Sequence, residues 1–358
     1  MKIALIGNDY VQQFPIMSYG GIETVVENLA IGLGEHFKDT VKFDVYVPKI
    51  LEKGDKKYNF SIIETDFIEG SKSGKSSYAF INEVKSIIDS SIDKPDVIWS
   101  QSEWSAKAFL NTKYPVICNM HASSGWEDGK YIFAKNIFYR FVSKYIYEYT
   151  FQDSKNDEFI NDVKSQSFWC HSGMVDEEYE FEKDKENYAL WVAGLHWGLE
   201  AKGLDMFIEM SKKSDGIKFL AYGTGNKNLE DYLYSLSKQI KNFEFMGKLH
   251  RGQSHKNAYK KARFFCMLSK IPEAFGRTGL EAISKGTPVL GTEYGSIPEQ
   301  VNFPNVGFCT NDQELMLSKM NKDFDYKQCF EFSKRYHIKN EINYLINKSK
   351  EIISTISQ

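Results

Sequence analysis

Phe264-Phe265-Cys266-Met267-Leu268-Ser269-Lys270-Ile271-Pro272-Glu273-Ala274-Phe275-Gly276-Arg277-Thr278-Gly279-Leu280-Glu281 carries the pattern that decides the fold. The apolar run 264–268 reads as a buried strand, and a loop holding Pro272 and Gly276 leads into a helix over 278–285. Pro288-Val289-Leu290 follows as another strand, so strand, helix and strand succeed one another as a parallel βαβ unit. Glu273 and Glu281 bracket the Gly-containing turn. Alone, Glu281 reads as a dipole cap in the first helical turn and Glu273 as a loop residue. In a βαβ unit, however, the backbone N–H groups of 275–279 can point at a diphosphate, and flanking carboxylates can accept hydrogen bonds from sugar hydroxyls.

Outward from this stretch the alternation continues. Residues 188–193, 217–221 and 243–246 read as strands, and 204–213 and 255–262 as helices. A second series opens the chain with a strand over 2–6, a loop ending in Gly20-Gly21, and a helix. In that helix Ile22, Val25, Val26, Leu29 and Leu33 fall within an arc of about 100°. Strands at 41–47, 60–63, 96–99 and 115–120 and a helix around 78–88 extend it. Residues 130–148 are rich in aromatics and hold Lys130, Lys135, Arg140 and Lys144. Those cations fall near roughly 0°, 140°, 280° and 320° on a helical wheel and form no stripe, which favours a packed aromatic helix. Residues 176–187 are highly charged without apolar period, as a linker is, and put a hinge near residue 180.

At 358 residues the chain is too long for one ordinary core and suits two lobes of ~150–200 residues each. The net charge of −3 provides no global positive field to draw nucleic acid or an anionic bilayer. Cys118, Cys170, Cys266, Cys309 and Cys329 are odd in number and lack any CxxC spacing, so they read as reduced thiols, mostly in cores. No stretch approaches the ~18–20 apolar residues of a membrane span, and the expected location is the cytoplasm, with peripheral membrane contact left open. No cluster of Asp, Glu and His has metal-ligand spacing, and Asp323-Phe324-Asp325 lies far along the chain from the site motifs, so no metal is expected.

Pro272-Glu273-Ala274-Phe275-Gly276 through Glu281-Ala282, then Gly286-Thr287-Pro288-Val289-Leu290 and Gly295-Ser296-Ile297-Pro298-Glu299-Gln300-Val301, resembles the family 4 retaining glycosyltransferases of the GT-B fold. Gly20-Gly21, His121, Gly173-Met174-Val175-Asp176, Lys202-Gly203 and Gly223-Thr224-Gly225 match the same family in the same order, so the resemblance covers nearly the whole chain. It implies an α/β protein of two Rossmann-like lobes with parallel sheets facing a central cleft. Residues 1–180 would form the acceptor lobe and 181–338 the nucleotide-sugar-binding lobe, with 339–358 a C-terminal helix crossing back to the first. The implied activity is a retaining, metal-independent transfer of a sugar from a nucleotide diphosphate sugar, a UDP-sugar foremost, to a hydroxyl acceptor. That acceptor would be a glycan, a lipid-linked glycan, a small molecule or a modified nucleobase.

By that resemblance Glu281 binds the ribose hydroxyls and Glu273 the donor-sugar hydroxyls, and Lys202 is a point charge on the leaving diphosphate. His121 stands at a strand end near the donor sugar and reacting carbon. Gly20, Gly21 and Gly223 let the backbone approach the donor. Lys248, Leu249 and Arg251 form the base-contacting loop, and Ala274, Phe275, Gly276, Thr278 and Gly279 complete the donor set. The acceptor site would be shaped by the aromatic segment 130–148, by 100–104 and by Ser123-Ser124-Gly125-Trp126.

The chain departs from the family at Gly194-Leu195, where Gly-Arg is usual, so the second diphosphate cation is missing from its expected place. His196 and Arg251 are the candidates to replace it. The departure keeps a rival from another class, a non-catalytic nucleotide-sugar binder. An epimerase of the same fold would need its own acid and base carboxylates. A transferase acting on modified DNA bases is a further alternative, which the acidic net charge disfavours.

Overall fold

The structure, a computed structural model, describes residues 1–7, 13–14, 21–53, 57–68, 77–121, 131–152, 157–196 and 198–356. The chain divides into two compact units: Met1–Val175 with His337–Gln358, and Asp176–Tyr336.

Unit 1 is built on seven parallel strands, β1 (Lys2–Ile6), β2 (Lys42–Val47), β3 (Ser61–Glu64), β4 (Val97–Ser100), β5 (Val116–Met120), β6 (Ile137–Phe141) and β7 (Ser167–Trp169). They run in the order β3-β2-β1-β4-β5-β6-β7. β4 and β5 are buried at every residue, which is why they read as unbroken apolar runs rather than as alternation. Helix α1 (Gly21–His36) buries Val25, Val26, Leu29 and Leu33, the stripe its spacing predicts. The final helix, Ile338–Ile356, packs on α1 at Gly32, where a Cβ would meet the side chains of Ile338 and Ile342 at 2.6 Å. A glycine there lets two helix backbones come together.

The expected aromatic helix over 130–148 is corrected here. Residue 130 lies outside the described residues, Ile137–Phe141 is strand β6, and only Lys144–Phe151 is helical, capped by Ser143 Oγ accepting from the Ile146 N–H at 3.2 Å. Aromatic and β-branched residues favour a strand once both neighbours pair with it, and β6 lies between β5 and β7. Arg140, which read as one of several scattered helix cations, is wholly buried. Its Nη2 lies 2.7 Å from Glu341 Oε1 on the final helix, Nη1 donates to Asn119 Oδ1 at 3.0 Å, and Nε and Nη2 donate to the Cys170 carbonyl. Glu341 Oε2 in turn accepts from the Gly173 N–H at 2.6 Å.

Unit 2 has six parallel strands, β8 (Glu186–Val192), β9 (Lys218–Tyr222), β10 (Phe243–Phe245), β11 (Ala262–Met267), β12 (Val289–Gly291) and β13 (Gly307–Cys309), in the order β10-β9-β8-β11-β12-β13. Helices α2 (Leu204–Lys213), α3 (Lys227–Gln239), α4 (Gln253–Lys261) and α5 (Arg277–Ile283) connect them. The strand order reverses between β8 and β11, and in open parallel sheets the crevice at the carboxyl ends of such a pair is where ligands sit. Asp325, part of the late Asp-x-Asp, caps the helix Tyr326–Ser333 by accepting from the Gln328 N–H at 3.0 Å.

Residues 176–187 are not a free linker. Asp176–Glu178 forms one 3-10 turn, Glu180 Oε1 and Oε2 lie 3.1 and 3.2 Å from Lys256 and Lys260, and Glu182 lies 3.2 Å from Lys261. Lys185 Nζ donates to the carbonyls of Lys260 and Lys285 and to Thr287 Oγ1, each at 2.9 Å. Burial pushes its ammonium down to about 7. The charge run is therefore a strap bonded to unit 2 along its length. Among the described residues no helix is long and apolar enough to cross a membrane.

Breaking one half of a buried ion pair leaves an uncompensated charge and costs roughly 3–5 kcal/mol. Glu341→Ala should therefore lower the urea stability of unit 1 by that order. A joint Arg140→Met and Glu341→Leu replacement should recover most of it. A Glu341→Ala protein as stable as the parent would show that the pair contributes nothing.

Candidate functional site

The site grows from the two strands at the switch point of unit 2. After β8 the chain turns through 199–203, and Gly203 takes φ 70° with the Leu268 carbonyl occupying the direction of a Cβ, so a side chain there is excluded. Trp191 Nε1 donates to the Lys202 carbonyl at 2.9 Å, and the Ala201 carbonyl accepts from the Lys270 N–H at 2.9 Å and Ser269 Oγ at 3.2 Å. The turn is thus laced to the segment that leaves β11. That segment carries Glu273, whose carbonyl accepts from the Ser296 N–H at 2.9 Å and which bridges Gly295. The result is an ion pair between Lys202 Nζ and Glu273 Oε1 at 2.5 Å, with side chains 25% and 16% exposed.

Glu281 lies in α5, below Gly276, which takes φ 55° with Met267 filling its Cβ direction. Its Oε2 is 3.4 Å from His255 Nε2 on α4. Burial by itself pushes this carboxyl up, but His255 beside it, with the guanidinium charges of Arg277 and Arg251, outweighs burial and holds it down at about 2. At neutral pH it is a carboxylate in a cationic surround. Lys285, after α5, is buried with its ammonium donating to the Glu178 carbonyl and 3.4 Å from Glu178 Oε2, and burial lowers its pKa despite Glu178 and Glu281.

The structure brings Lys202 to Glu273 and sets Arg251 to act on Glu281. Leu195 is buried, packed under Gly223 and Gly225 with its N–H donating to the Thr224 carbonyl at 2.9 Å, so it presents nothing to a phosphate. His196 and Lys248 are exposed. Leu249 and Phe275 are buried, so only their backbones are available to a ligand, Ala274 lies in the turn before α5, and Thr278 and Gly279 lie in its first turn. In unit 1, His121 follows β5 with Nε2 2.9 Å from Gln101 Oε1, and Gly21 is the exposed first residue of α1. Gly20 and Ser123–Trp126 lie outside the described residues. Sequence reasoning missed two residues beside Glu281, His255 and Arg277. Arg277 stood inside the quoted motif as an unread positive charge, and His255 gave one signal, a polar residue on the stripe of α4 that also buries Ala258 and Tyr259.

Residues 186–322, inside unit 2, match the family model described as "Glycosyl transferases group 1". No curated protein matches the chain by sequence. Solved structures match both units together. The chain is similar to AviGT4, a glycosyltransferase involved in avilamycin A biosynthesis (TM-score 0.69, 14% identity, covering 99% of this chain and 98% of that one). It is similar to sucrose-phosphate synthase from Thermosynechococcus elongatus (TM-score 0.72, 14% identity, 99% of each chain). HepE from Anabaena, solved in complex with UDP and glucose, is a third (TM-score 0.69, 13% identity, 98% of this chain and 100% of that one). The fold is that of the GT-B glycosyltransferases, and unit 2 carries the sequence pattern of their group 1 domain.

The Glu281 carboxyl titrates at about 2 when folded, against about 4.3 for an unperturbed glutamate. Because its folded value is depressed, the stability it contributes is present above the unfolded value and is lost as pH falls from there towards 2. The parent protein should therefore lose on the order of 3 kcal/mol relative to Glu281→Gln across that window, read by denaturant titration at a series of pH values. Parallel acid limbs would refute the charge assignment.

Proposed function

We propose that the protein is a retaining, metal-independent glycosyltransferase whose donor, a UDP-sugar foremost, binds in unit 2. The observation that carries this reading is the Lys202–Glu273 ion pair at the switch point, in the same unit as a carboxylate, Glu281, held charged by cations. A diphosphate at these strand ends competes with Glu273 for Lys202. Once freed, the Glu273 carboxylate accepts hydrogen bonds from donor-sugar hydroxyls while Lys202 offsets charge on the leaving group. Glu281 takes the ribose hydroxyls, and the backbone of 275–279 meets the phosphates. HepE, solved with UDP and glucose, supports a UDP donor.

The chemistry that fits is a front-face substitution. The bond from anomeric carbon to phosphate oxygen breaks as the acceptor hydroxyl attacks the same face, and the departing phosphate takes the acceptor's proton. No protein nucleophile is needed, and the residues orient the donor and stabilise charge. The family resemblance assigns His121 a catalytic role and unit 1 the acceptor. Buried Leu195 favours one second reading, a nucleotide-sugar binder without turnover, since it removes a diphosphate cation that Arg251 and Arg277 would have to replace.

A thermal-shift screen of nucleotide diphosphates and their sugars, with and without EDTA, tests the reading. Ligand at ~100 times its Kd should add about 2.7 kcal/mol of stability, and the shift should be selective for one donor and insensitive to EDTA. Donor hydrolysis or transfer then separates the enzyme from the silent binder. Glu281→Ala should weaken nucleotide binding, whereas Glu273→Ala and His121→Ala should mainly lower turnover. Parental turnover in Glu273→Ala would remove that residue from the site.

A further inference from the structure

His255 stands on the buried stripe of α4, where Ala258 and Tyr259 are also buried. An imidazole on such a stripe is costly unless a polar group answers it. Its ring is wedged in place. The Tyr259 ring lies 4.9 Å away, and Tyr259 lies 5.2 Å from the Phe265 ring on β11. Facing it, Glu281 turns Oε2 inward, buried and 3.4 Å from Nε2. The residual exposure of this carboxylate is left to its other oxygen. The titratable and charged groups that face it are His255 from α4, Arg251 from the loop before α4, Arg277 from the first turn of α5 and Lys285 from beyond α5. Of these, His255 is the one the structure places in ion-pair contact.

We infer that His255 is a positioning residue for the donor nucleoside: it fixes the Glu281 carboxylate so that the outward oxygen meets the ribose hydroxyls pre-oriented. The inference rests on the ribose-binding role proposed for Glu281. A carboxylate locked before the ligand arrives loses less side-chain freedom on binding, and that advantage is realised only with a hydroxyl to grip. His255 thereby acts on ribose recognition rather than on nucleotide binding in general.

The test compares UDP with 2′-deoxy-UDP by calorimetry on the full chain, in the parent protein, His255→Leu and His255→Asn. Loss of His255 should weaken UDP by about tenfold, the order of a hydrogen bond to a charged group, and leave 2′-deoxy-UDP nearly unchanged. His255→Asn, which keeps a donor, should restore part of the preference for ribose. An equal loss for both ligands would show a merely structural residue, and no loss for either would remove it from the site; both outcomes overturn the inference.

A second arm needs no nucleotide. The difference in acid limb between Glu281 and Glu281→Gln should shrink in a His255→Asn background if the two side chains are coupled, and an undiminished difference overturns the coupling. If the parent binds neither ligand, the nucleotide reading fails, and the ribose role of His255 falls with it. The acid limb then reports separately whether His255 holds Glu281.

Discussion

Two opposite charges taken wholly out of water attract strongly, but each pays a desolvation cost that only its partner and further hydrogen bonds can offset. Arg140 and Glu341 are in that position, with side chains 0% and 2% exposed. Each spends its remaining capacity on the chain around it: Arg140 on Asn119 and the Cys170 carbonyl, Glu341 on the Gly173 N–H. A strand, the loop leaving the sheet and the final helix are thereby fixed at one point. Trp99 Nε1, donating to Ser349 Oγ at 3.0 Å, repeats the connection between β4 and the same helix. Unit 1 is consequently discontinuous in sequence, and Ile338, Ile342, Leu345 and Ile352 of the final helix complete the core that the first 175 residues begin.

Unit 2 uses charge differently. In the strap over 176–185, Glu180 and Glu182 meet lysines from α4, Glu178 meets Lys285 just beyond α5, and Lys185 is buried under backbone carbonyls. These links brace the helices that carry the site from below. The site uses its charges in unequal ways. Lys202 and Glu273, with side chains 25% and 16% exposed, answer one another as a pair, whereas Glu281 is held as a carboxylate against its own burial. The first carboxylate has Lys202 beside it, and the second has His255 beside it with the charges of Arg277 and Arg251 bearing on it.

Reading the chain residue by residue reached most of this architecture. The Glu273–Glu281 segment, the strand runs and the apolar stripe of α1 are all patterns within a few positions, and the structure places them as strand end, strands and buried helix face. The misreading at 137–141 has a specific cause. Arg140 suggested a solvated cation because its partner was not visible, and without the partner an aromatic run punctuated by a charge looks more like a helix than a central strand. Helix α3 and the edge strands β7 and β13 were passed over. His255 was legible only as an oddity on a buried stripe.

The sequence by itself determined the alternation of strand and helix, the two-series organisation and the glycine, lysine and carboxylate positions at the strand ends, because periodicity and turn chemistry act over a handful of residues. Only the tertiary structure decided which charges meet. Arg140 finds Glu341 across 201 positions, Lys202 finds Glu273 across 71, and Leu195 turns inward. Electrostatic partnership depends on distance and burial in space, and neither is encoded in the spacing of residues along the chain.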